Sequence, residues 1–162
     1  MPNWCSNTVE ITHKDPEKLK EFKEAFMRKD IANHFLPEPD WMKTPNDKGE
    51  LPTIKEIGEW KIPFFGMDQD MRFRDWRDKH WGSHKFLFDI EGDGLETDDF
   101  KHEDGDGVYI HFMSAWNPPV KLFKHLETLG FEYMMECYEP DLGTDETHMS
   151  EYWLPKDQID PT

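Results

Sequence analysis

The stretch that decides the fold is 108–138, VYIHFMSAWNPPVKLFKHLETLGFEYMMECY. Its first part, 108–113, alternates apolar and polar side chains, which predicts a β-strand. Asn117-Pro118-Pro119 favours a helix start, because asparagine caps helices and proline fits their first turn, and Gly130 favours the helix end. The last part, 131–138, alternates again. The stretch therefore predicts a strand, a helix and a second strand.

The residues before this stretch show a similar pattern. Residues 7–13 alternate as a strand, and Asp15-Pro16 favours the start of a helix that ends near 27–30. A further helix is predicted at 70–81 and a further strand at 86–90. Apart from the 70–81 helix, the order is β-α-β-β-α-β. We therefore predict an α+β fold, a ferredoxin-like split βαβ sandwich whose four strands form one antiparallel sheet with both helices on one face.

Three segments lie outside this pattern in what we predict to be a single domain, 1–162. Residues 35–70 are proline-rich and predict an irregular insertion after the first helix, with one short helix near 54–59. Residues 92–107 predict an acidic hairpin loop that joins two strands. Residues 140–162 predict an acidic C-terminal extension.

Composition excludes several classes of protein. The chain has 162 residues and a formal net charge of −16, and 14% of its residues are aromatic, which excludes a disordered acidic tail. No apolar run reaches the roughly 18 residues of a membrane span, and the N-terminus is not that of a signal peptide. Two cysteines, Cys5 and Cys137, are too few for a disulfide scaffold. We therefore expect a soluble protein located in the cytoplasm.

The negative charge is concentrated in two segments. Residues 89–106 and 132–162 each carry nine acidic residues and one lysine, while 72–85 carries five basic residues and two acidic ones. Such a distribution projects a directional field that repels nucleic-acid phosphates and attracts basic surfaces. Solubility alone is the simpler explanation of the same charge.

Several tryptophan-bearing motifs resemble a known family. They are residues 1–11 (MPNWCSNTVEI), Arg74-Asp75-Trp76-Arg77, Trp81-Gly82-Ser83 and 114–119 (SAWNPP). Together they resemble the Api92-like, or YubB-like, proteins of phages and plasmids, although the block 81–86 is one residue longer here and ends in phenylalanine instead of tryptophan. The resemblance implies a ferredoxin-like fold and an origin in a phage or mobile element. It implies no activity and no catalytic residues.

The charge pattern leads to a first hypothesis, a non-enzymatic binding protein of a phage or mobile element. It would dock a host or defence protein with a basic surface, and its carboxylates could occupy phosphate positions in a nucleic-acid-binding groove. We expect no catalytic residue, no metal and no cofactor. Tryptophans in the insertion would add exposed anchors. The candidate partner-binding residues are Asp93, Glu96, Asp98, Asp99, Glu103, Asp104, Asp106, Asp145, Glu146, Trp41 and Trp60.

A nucleic-acid-binding module is the second hypothesis. An open ferredoxin-like sheet face with aromatic side chains resembles RNA-recognition modules. The net charge of −16 opposes this function, and the chain contains no RNA-recognition motif. The residues in question are Tyr109, His111 and Tyr138 on the sheet, flanked by Arg72, Arg74 and Arg77.

A metal-dependent hydrolase is the third hypothesis. Residues 89–94 imitate the start of an EF-hand loop, but Phe100 stands where that loop needs its final glutamate, so an EF-hand is excluded. A looser divalent site remains open in the acidic loop. His80 and His84 have the spacing of two zinc ligands, but Gly82 would interrupt a helix between them. The loop residues that could bind a divalent ion are Asp93, Asp98, Asp99, Asp104 and Asp106.

Overall fold

The computed structural model describes residues 3–61, 72–88, 98–102, 105–140 and 143–153, with 59–61, 98–102 and 105–106 described as backbone only. Within these ranges, no helix is both long and apolar enough to cross a bilayer. The strands are β1 (Trp4–His13), β2 (Phe86–Leu87), β3 (Asp98–His102), β4 (Gly105–Ala115), β5 (Phe131–Glu139) and β6 (Thr144–Met149). The helices are α1 (Pro16–Met27), α2 (Ile31–Phe35), α3 (Ile54–Lys61), α4 (Arg72–His80) and α5 (Val120–Thr128).

The six described strands form one antiparallel sheet in the order β2-β4-β1-β5-β6, and β3 also pairs with β4. The first strand of the chain is therefore central. Its Val9 faces Ile110 of β4 on one side and Met135 of β5 on the other. The predicted α+β class is confirmed.

One face of the sheet forms the hydrophobic core with α1 and α5. The ring of Phe22 in α1 lies 5.8 Å from that of Phe131, and the ring of Phe123 in α5 lies 6.3 Å from that of Phe112. All four side chains are buried. Each such burial stabilises the fold by about 1.5–3 kcal/mol, so both helices are held by the alternating strand residues predicted to face inward.

Helix α1 begins as the sequence predicts. The Asp15 side chain accepts a hydrogen bond of 2.9 Å from the backbone N–H of Glu17, and Pro16 occupies the first turn. This bond satisfies one of the amides that a helix N-terminus leaves without an intrahelical partner. The helix ends at Met27, inside the predicted range of its C-terminus.

The insertion is more regular than predicted. Its described part contains the last residue of α2, a short 3₁₀ helix (Trp41–Lys43) and α3, and α3 confirms the short helix expected near 54–59. Bonds to the 72–85 segment hold it in place. Trp81 donates its indole N–H to the Leu36 carbonyl at 2.9 Å, and Arg72 donates to the carbonyls of Thr44 and Glu50, each at 2.8 Å.

Two predictions of irregular structure are wrong in part. Strand β3 and the start of β4 lie within the predicted acidic loop 92–107, because a backbone ladder requires no apolar side chains. Strand β6 lies within the predicted extension 140–162 and pairs with β5. Nearly all of its side chains are exposed, so it has no apolar alternation to detect. Strand β2 is shorter than predicted, and residues 89 and 90 lie outside the described ranges.

Candidate binding surfaces

The second face of the sheet presents polar and aromatic side chains. On β5, the core-facing residues alternate with outward-facing ones, of which Glu136 and Tyr138 are exposed. The strand register places Thr8 and Thr147 beside Glu136, and it places Ser6 and Asp145 beside Tyr138. Because cross-strand neighbours share a face, these side chains form one continuous surface.

We call this surface the acidic sheet face and define it by its acids and tyrosines. Tyr109 and Tyr138 are 38% and 44% exposed. The strands β1, β2, β4, β5 and β6 contain no lysine or arginine. Across these five strands the surface therefore carries carboxylates and no lysine or arginine, and its defining residues are Glu10, Glu132, Glu136, Asp145, Tyr109 and Tyr138.

The candidate residues Asp145 and Glu146 are neighbours in β6, but they lie on opposite faces of it. Asp145 pairs with Tyr138 on the acidic sheet face, whereas Glu146 pairs with Cys137 on the helix-covered side. On that side, the Oε2 atom of Glu146 lies 3.0 Å from Nε2 of His148. The two carboxylates therefore cannot engage one flat partner together, which follows from the two-residue period of a strand.

The other candidate residues have different outcomes. Trp41 is half-buried and not the exposed anchor that we expected, because its N–H donates to Glu38 at 2.7 Å and its ring packs edge-on against Trp76 at 6.3 Å. Trp60 lies in α3, and its side chain is outside the described part. Asp98 and Asp99 lie in β3 and Asp106 in β4, each described as backbone only, while Asp93, Glu96, Glu103 and Asp104 lie outside the described residues.

The arginines do not flank the tyrosines as the nucleic-acid hypothesis requires. Tyr109, His111 and Tyr138 do share the acidic sheet face. Arg72 and Arg77 instead lie in α4 and bind groups of the insertion. Arg74 lies in the same helix, with its Nε 4.0 Å from Asp78 Oδ2. The three arginines thus bind groups of α4 and the insertion, and the predicted placement beside the tyrosines is wrong.

A cavity of about 490 Å³ lies where the insertion, α4 and β2 meet the N-terminal end of β1. Aromatic side chains form part of its wall, and its charged lining residues are three basic and two acidic, Lys29, Arg77, Lys85, Asp30 and Glu38. The residues that matter for its chemistry are Trp4, Arg77, Trp81, His84, Lys85 and Phe86. The sequence did not reveal it, because these residues come from separate segments, although the positive balance of 72–85 was a partial signal.

Arg77 organises one wall of this cavity. Its guanidinium forms two bonds with the Glu38 carboxylate, Nε to Oε2 at 2.8 Å and Nη2 to Oε1 at 2.9 Å. It also donates to the His84 carbonyl at 3.3 Å, and its carbon lies 5.4 Å from the centre of the Trp81 ring. A planar guanidinium suits this combination of a bidentate ion pair and an aromatic contact.

His84 and Lys85 form the buried polar part of the cavity wall. The His84 side chain is 2% exposed, and its Nδ1 lies 2.9 Å from Asp78 Oδ1. Its Nε2 makes no hydrogen bond with any residue that the structure describes. Burial lowers the pKa of the Lys85 amine, and the positive charges of Arg74 and Arg77 lower it further.

Segments that carry the family resemblance meet beside this cavity. The backbone N–H of Trp116 donates to the Asn3 carbonyl at 2.7 Å, and the Ser83 hydroxyl donates to the Ala115 carbonyl at 2.9 Å. Gly82 has a φ of +93°, and a Cβ there would lie 3.1 Å from the Pro118 carbonyl oxygen. The motifs therefore form one packed junction, which explains the need for glycine at this position.

Chemistry based on metal ions or on cysteine finds little support in the described residues. Within them, no three histidine, cysteine or acidic side chains form a metal-binding group. The His80 ring stacks on Trp76 and its Nδ1 lies 2.8 Å from the Trp76 carbonyl oxygen. Burial raises the pKa of the Cys5 thiol to about 11, with smaller contributions from Glu146 and Glu139, which makes it a poor nucleophile.

Comparison with known proteins shows no relative. No family model matches the chain, and neither a curated protein nor a solved structure matches it.

Proposed function

We propose that this chain is a non-enzymatic binding protein that docks a basic surface of a partner protein through its acidic sheet face. The observation that carries the proposal is the absence of lysine and arginine from the strands β1, β2, β4, β5 and β6, combined with the exposed carboxylates of Glu136 and Asp145. Such a surface attracts a cationic partner at long range and repels phosphate backbones.

The exposed tyrosines support docking rather than hydration alone. Tyr138 is 44% exposed and lies between Ser6 and Asp145 in the strand register. Tyrosine supplies a large, rigid contact area with a polar tip, and it is enriched at the energetic centres of interfaces. Carboxylates around tyrosines would pair with arginines or lysines of the partner and fix its orientation.

The proposal extends to the fold and origin of the chain. The four strands β5-β1-β4-β2 are adjacent in that order, with α1 and α5 packed on one face, which is compatible with a ferredoxin-like split βαβ sandwich. With the YubB-like motifs, this supports assignment to a phage or mobile element. The partner would then be a host or defence protein in the cytoplasm, and the acidic sheet face could occupy its nucleic-acid-binding groove.

The test compares two charge variants with the same net charge. Glu136→Lys/Asp145→Lys reverses the acidic sheet face, whereas Glu24→Lys/Glu50→Lys reverses exposed carboxylates in α1 and in the insertion. Immobilised wild type captures partners from host lysate at low and high salt, and the captured protein is purified. Its dissociation constant is then measured for all three forms.

The proposal expects a salt-sensitive partner whose affinity falls about tenfold or more in the sheet variant and changes little in the other, because interfacial charge pairs each contribute on the order of 1.5 kcal/mol or more. Equal affinity of the two variants for that partner contradicts the proposal. A gel shift of wild type with RNA or single-stranded DNA at low salt would instead favour the nucleic-acid hypothesis.

A further inference from the structure

Strand β6 stands at one end of the sheet order, and its outer edge is open. It pairs with β5 over Thr144–Met149, and no other strand pairs with it among the residues that the structure describes. Five of its six residues are exposed. Its pairing with β5 runs without a bulge and it contains no proline, so two common means of blocking a sheet edge are missing from it. This edge can therefore accept a further strand.

The backbone register decides which groups of β6 face outward. The N–H of Ser150 donates to the Tyr133 carbonyl at 2.9 Å, in the same register as the β5–β6 pairing. In an antiparallel pair, residues that exchange backbone bonds alternate with residues whose N–H and C=O groups point away. The even-numbered residues of β6 therefore face β5. The outward N–H and C=O groups are those of Asp145, Thr147 and Met149.

The side chains along this edge favour a basic strand as its neighbour. Asp145 and Thr147 lie on the acidic sheet face, and Glu146 lies on the opposite face. The strand contains no lysine or arginine. Because cross-strand neighbours of opposite charge stabilise a sheet, lysines or arginines of an added strand would pair with these carboxylates. A second copy of this chain fits less well, since each copy carries a net charge of −16 and the two would repel.

From the open edge and its charge we infer that β6 receives an extended, basic segment of the partner protein as an additional strand of the sheet. The inference rests on the proposed function, because it names the way in which the partner of the acidic sheet face is held. Backbone bonds to Asp145, Thr147 and Met149 supply affinity, and the carboxylates of Asp145 and Glu146 select basic side chains. The added strand extends the acidic sheet face, so both contacts belong to one interface.

The experiment uses a defined probe, the capped peptide Lys-Val-Lys-Val-Lys-Val-Lys, which alternates basic residues with residues that favour strands. One control peptide carries glutamate in place of each lysine. A second control is the lysine peptide N-methylated at two neighbouring central residues, which keeps the charge but interrupts the backbone ladder on either edge. Nuclear magnetic resonance of the full chain at low salt measures the affinity of each peptide and the hydrogen-exchange rate of each backbone amide.

At saturating lysine peptide, exchange of the amides of Asp145, Thr147 and Met149 should slow by about tenfold or more, because their N–H groups become hydrogen-bonded. The even-numbered amides of β6 already face β5 and should change much less. Both control peptides should bind at least about tenfold more weakly than the lysine peptide.

A pair of variants at one position tests the same contact from the side of the protein. Thr147→Pro removes an outward N–H at a position where edge strands tolerate proline, whereas Thr147→Val keeps the N–H. The proline variant should bind the lysine peptide about tenfold more weakly, and the valine variant should bind it as wild type does. Circular dichroism verifies that both are folded. The N-methylated peptide provides the same comparison on wild type if the proline variant does not fold.

Strand addition is overturned if the lysine peptide does not bind, if a control peptide binds as tightly, or if exchange at the three outward amides is unchanged. Peptide-induced shifts confined to Glu136 and Tyr138 would also overturn it, but they would leave the proposed function in place, which the sheet charge variants test separately. Dimerisation of wild type that is lost in Thr147→Pro would assign the edge to a second copy and contradict a basic partner strand.

Discussion

Arg77 and Glu38 form a bidentate ion pair, with N–O distances of 2.8 and 2.9 Å, that joins α4 to the insertion. Their side chains are only 16% and 15% exposed. Most surface ion pairs contribute little to the free energy of unfolding. Removal of one partner from a largely buried pair costs more, because it leaves the other charge without compensation. This contact therefore fixes the insertion against the rest of the fold.

Glu38→Ala should consequently lower the free energy of unfolding by about 2–4 kcal/mol, somewhat less than a fully buried pair would lose. The Trp41 indole loses its acceptor in the same variant. Urea denaturation followed by circular dichroism measures the change. The control is Glu24→Ala, an exposed carboxylate of α1, which should stay within about 0.5 kcal/mol of wild type. Similar effects of the two substitutions would show that the pair does not stabilise the fold.

Gly82→Ala should destabilise the protein by about 2–3 kcal/mol, since the new Cβ adds a close contact to an unfavourable backbone conformation. Its φ is +93°, and the Cβ would lie 3.1 Å from the Pro118 carbonyl oxygen. Gly49→Ala is the matched comparison, because φ there is +78° but nothing lies within 4 Å of the added atom. Thermal unfolding of both variants separates the cost of the close contact from the cost of the backbone conformation. Equal losses of stability in the two variants would show that the contact does not contribute.

Asp15→Ala should cost about 1 kcal/mol, because it removes the side-chain bond that caps α1. Asp30 precedes α2 in the same position, but its side chain makes no capping bond. Asp30→Ala should therefore change the unfolding midpoint in urea much less. A loss for Asp30→Ala as large as that for Asp15→Ala would mean that the capping bond is not the source of the stability.

The central elements could be predicted because local sequence determines them. The alternation of Val9 and Ile11 in β1, and of Ile110 and Phe112 in β4, follows from burial of one sheet face. The helix cap at Asp15 is likewise predicted from two adjacent residues, Asp15 and Pro16. Each of these signals needs only neighbours in the chain, and each is confirmed.

What the sequence did not reveal depends on contacts between distant segments. Strand β6 is an edge strand whose side chains are nearly all exposed, so Thr144–Met149 shows no apolar period. Trp41 is half-buried because Glu38 and Trp76 meet it from other elements. The cavity is lined by Trp4 from the start of β1 and by Lys85, which directly precedes β2, and no spacing rule joins residues so far apart.

The two thiols provide the last prediction, since burial raises the pKa of Cys5 to about 11 and that of Cys137 to about 12. Both are free, so at mildly alkaline pH they should react with Ellman's reagent far more slowly in the folded protein than in urea. Native thiols that react as fast as unfolded ones would contradict this burial.

The same shifts make stability depend on pH. Above the ordinary thiol pKa of 9.0, the unfolded chain has lost protons that the folded chain keeps until about pH 11, so the free energy of unfolding should fall as pH rises through this window. The lowered pKa of Lys85 acts in the opposite direction, because the folded lysine loses its proton first. Cys137→Ala removes one of the two thiols, so the free energy of unfolding of this variant should fall less steeply with pH than that of wild type. Urea titrations at several pH values measure the slope, and an unchanged slope would show that Cys137 does not contribute to the alkaline response.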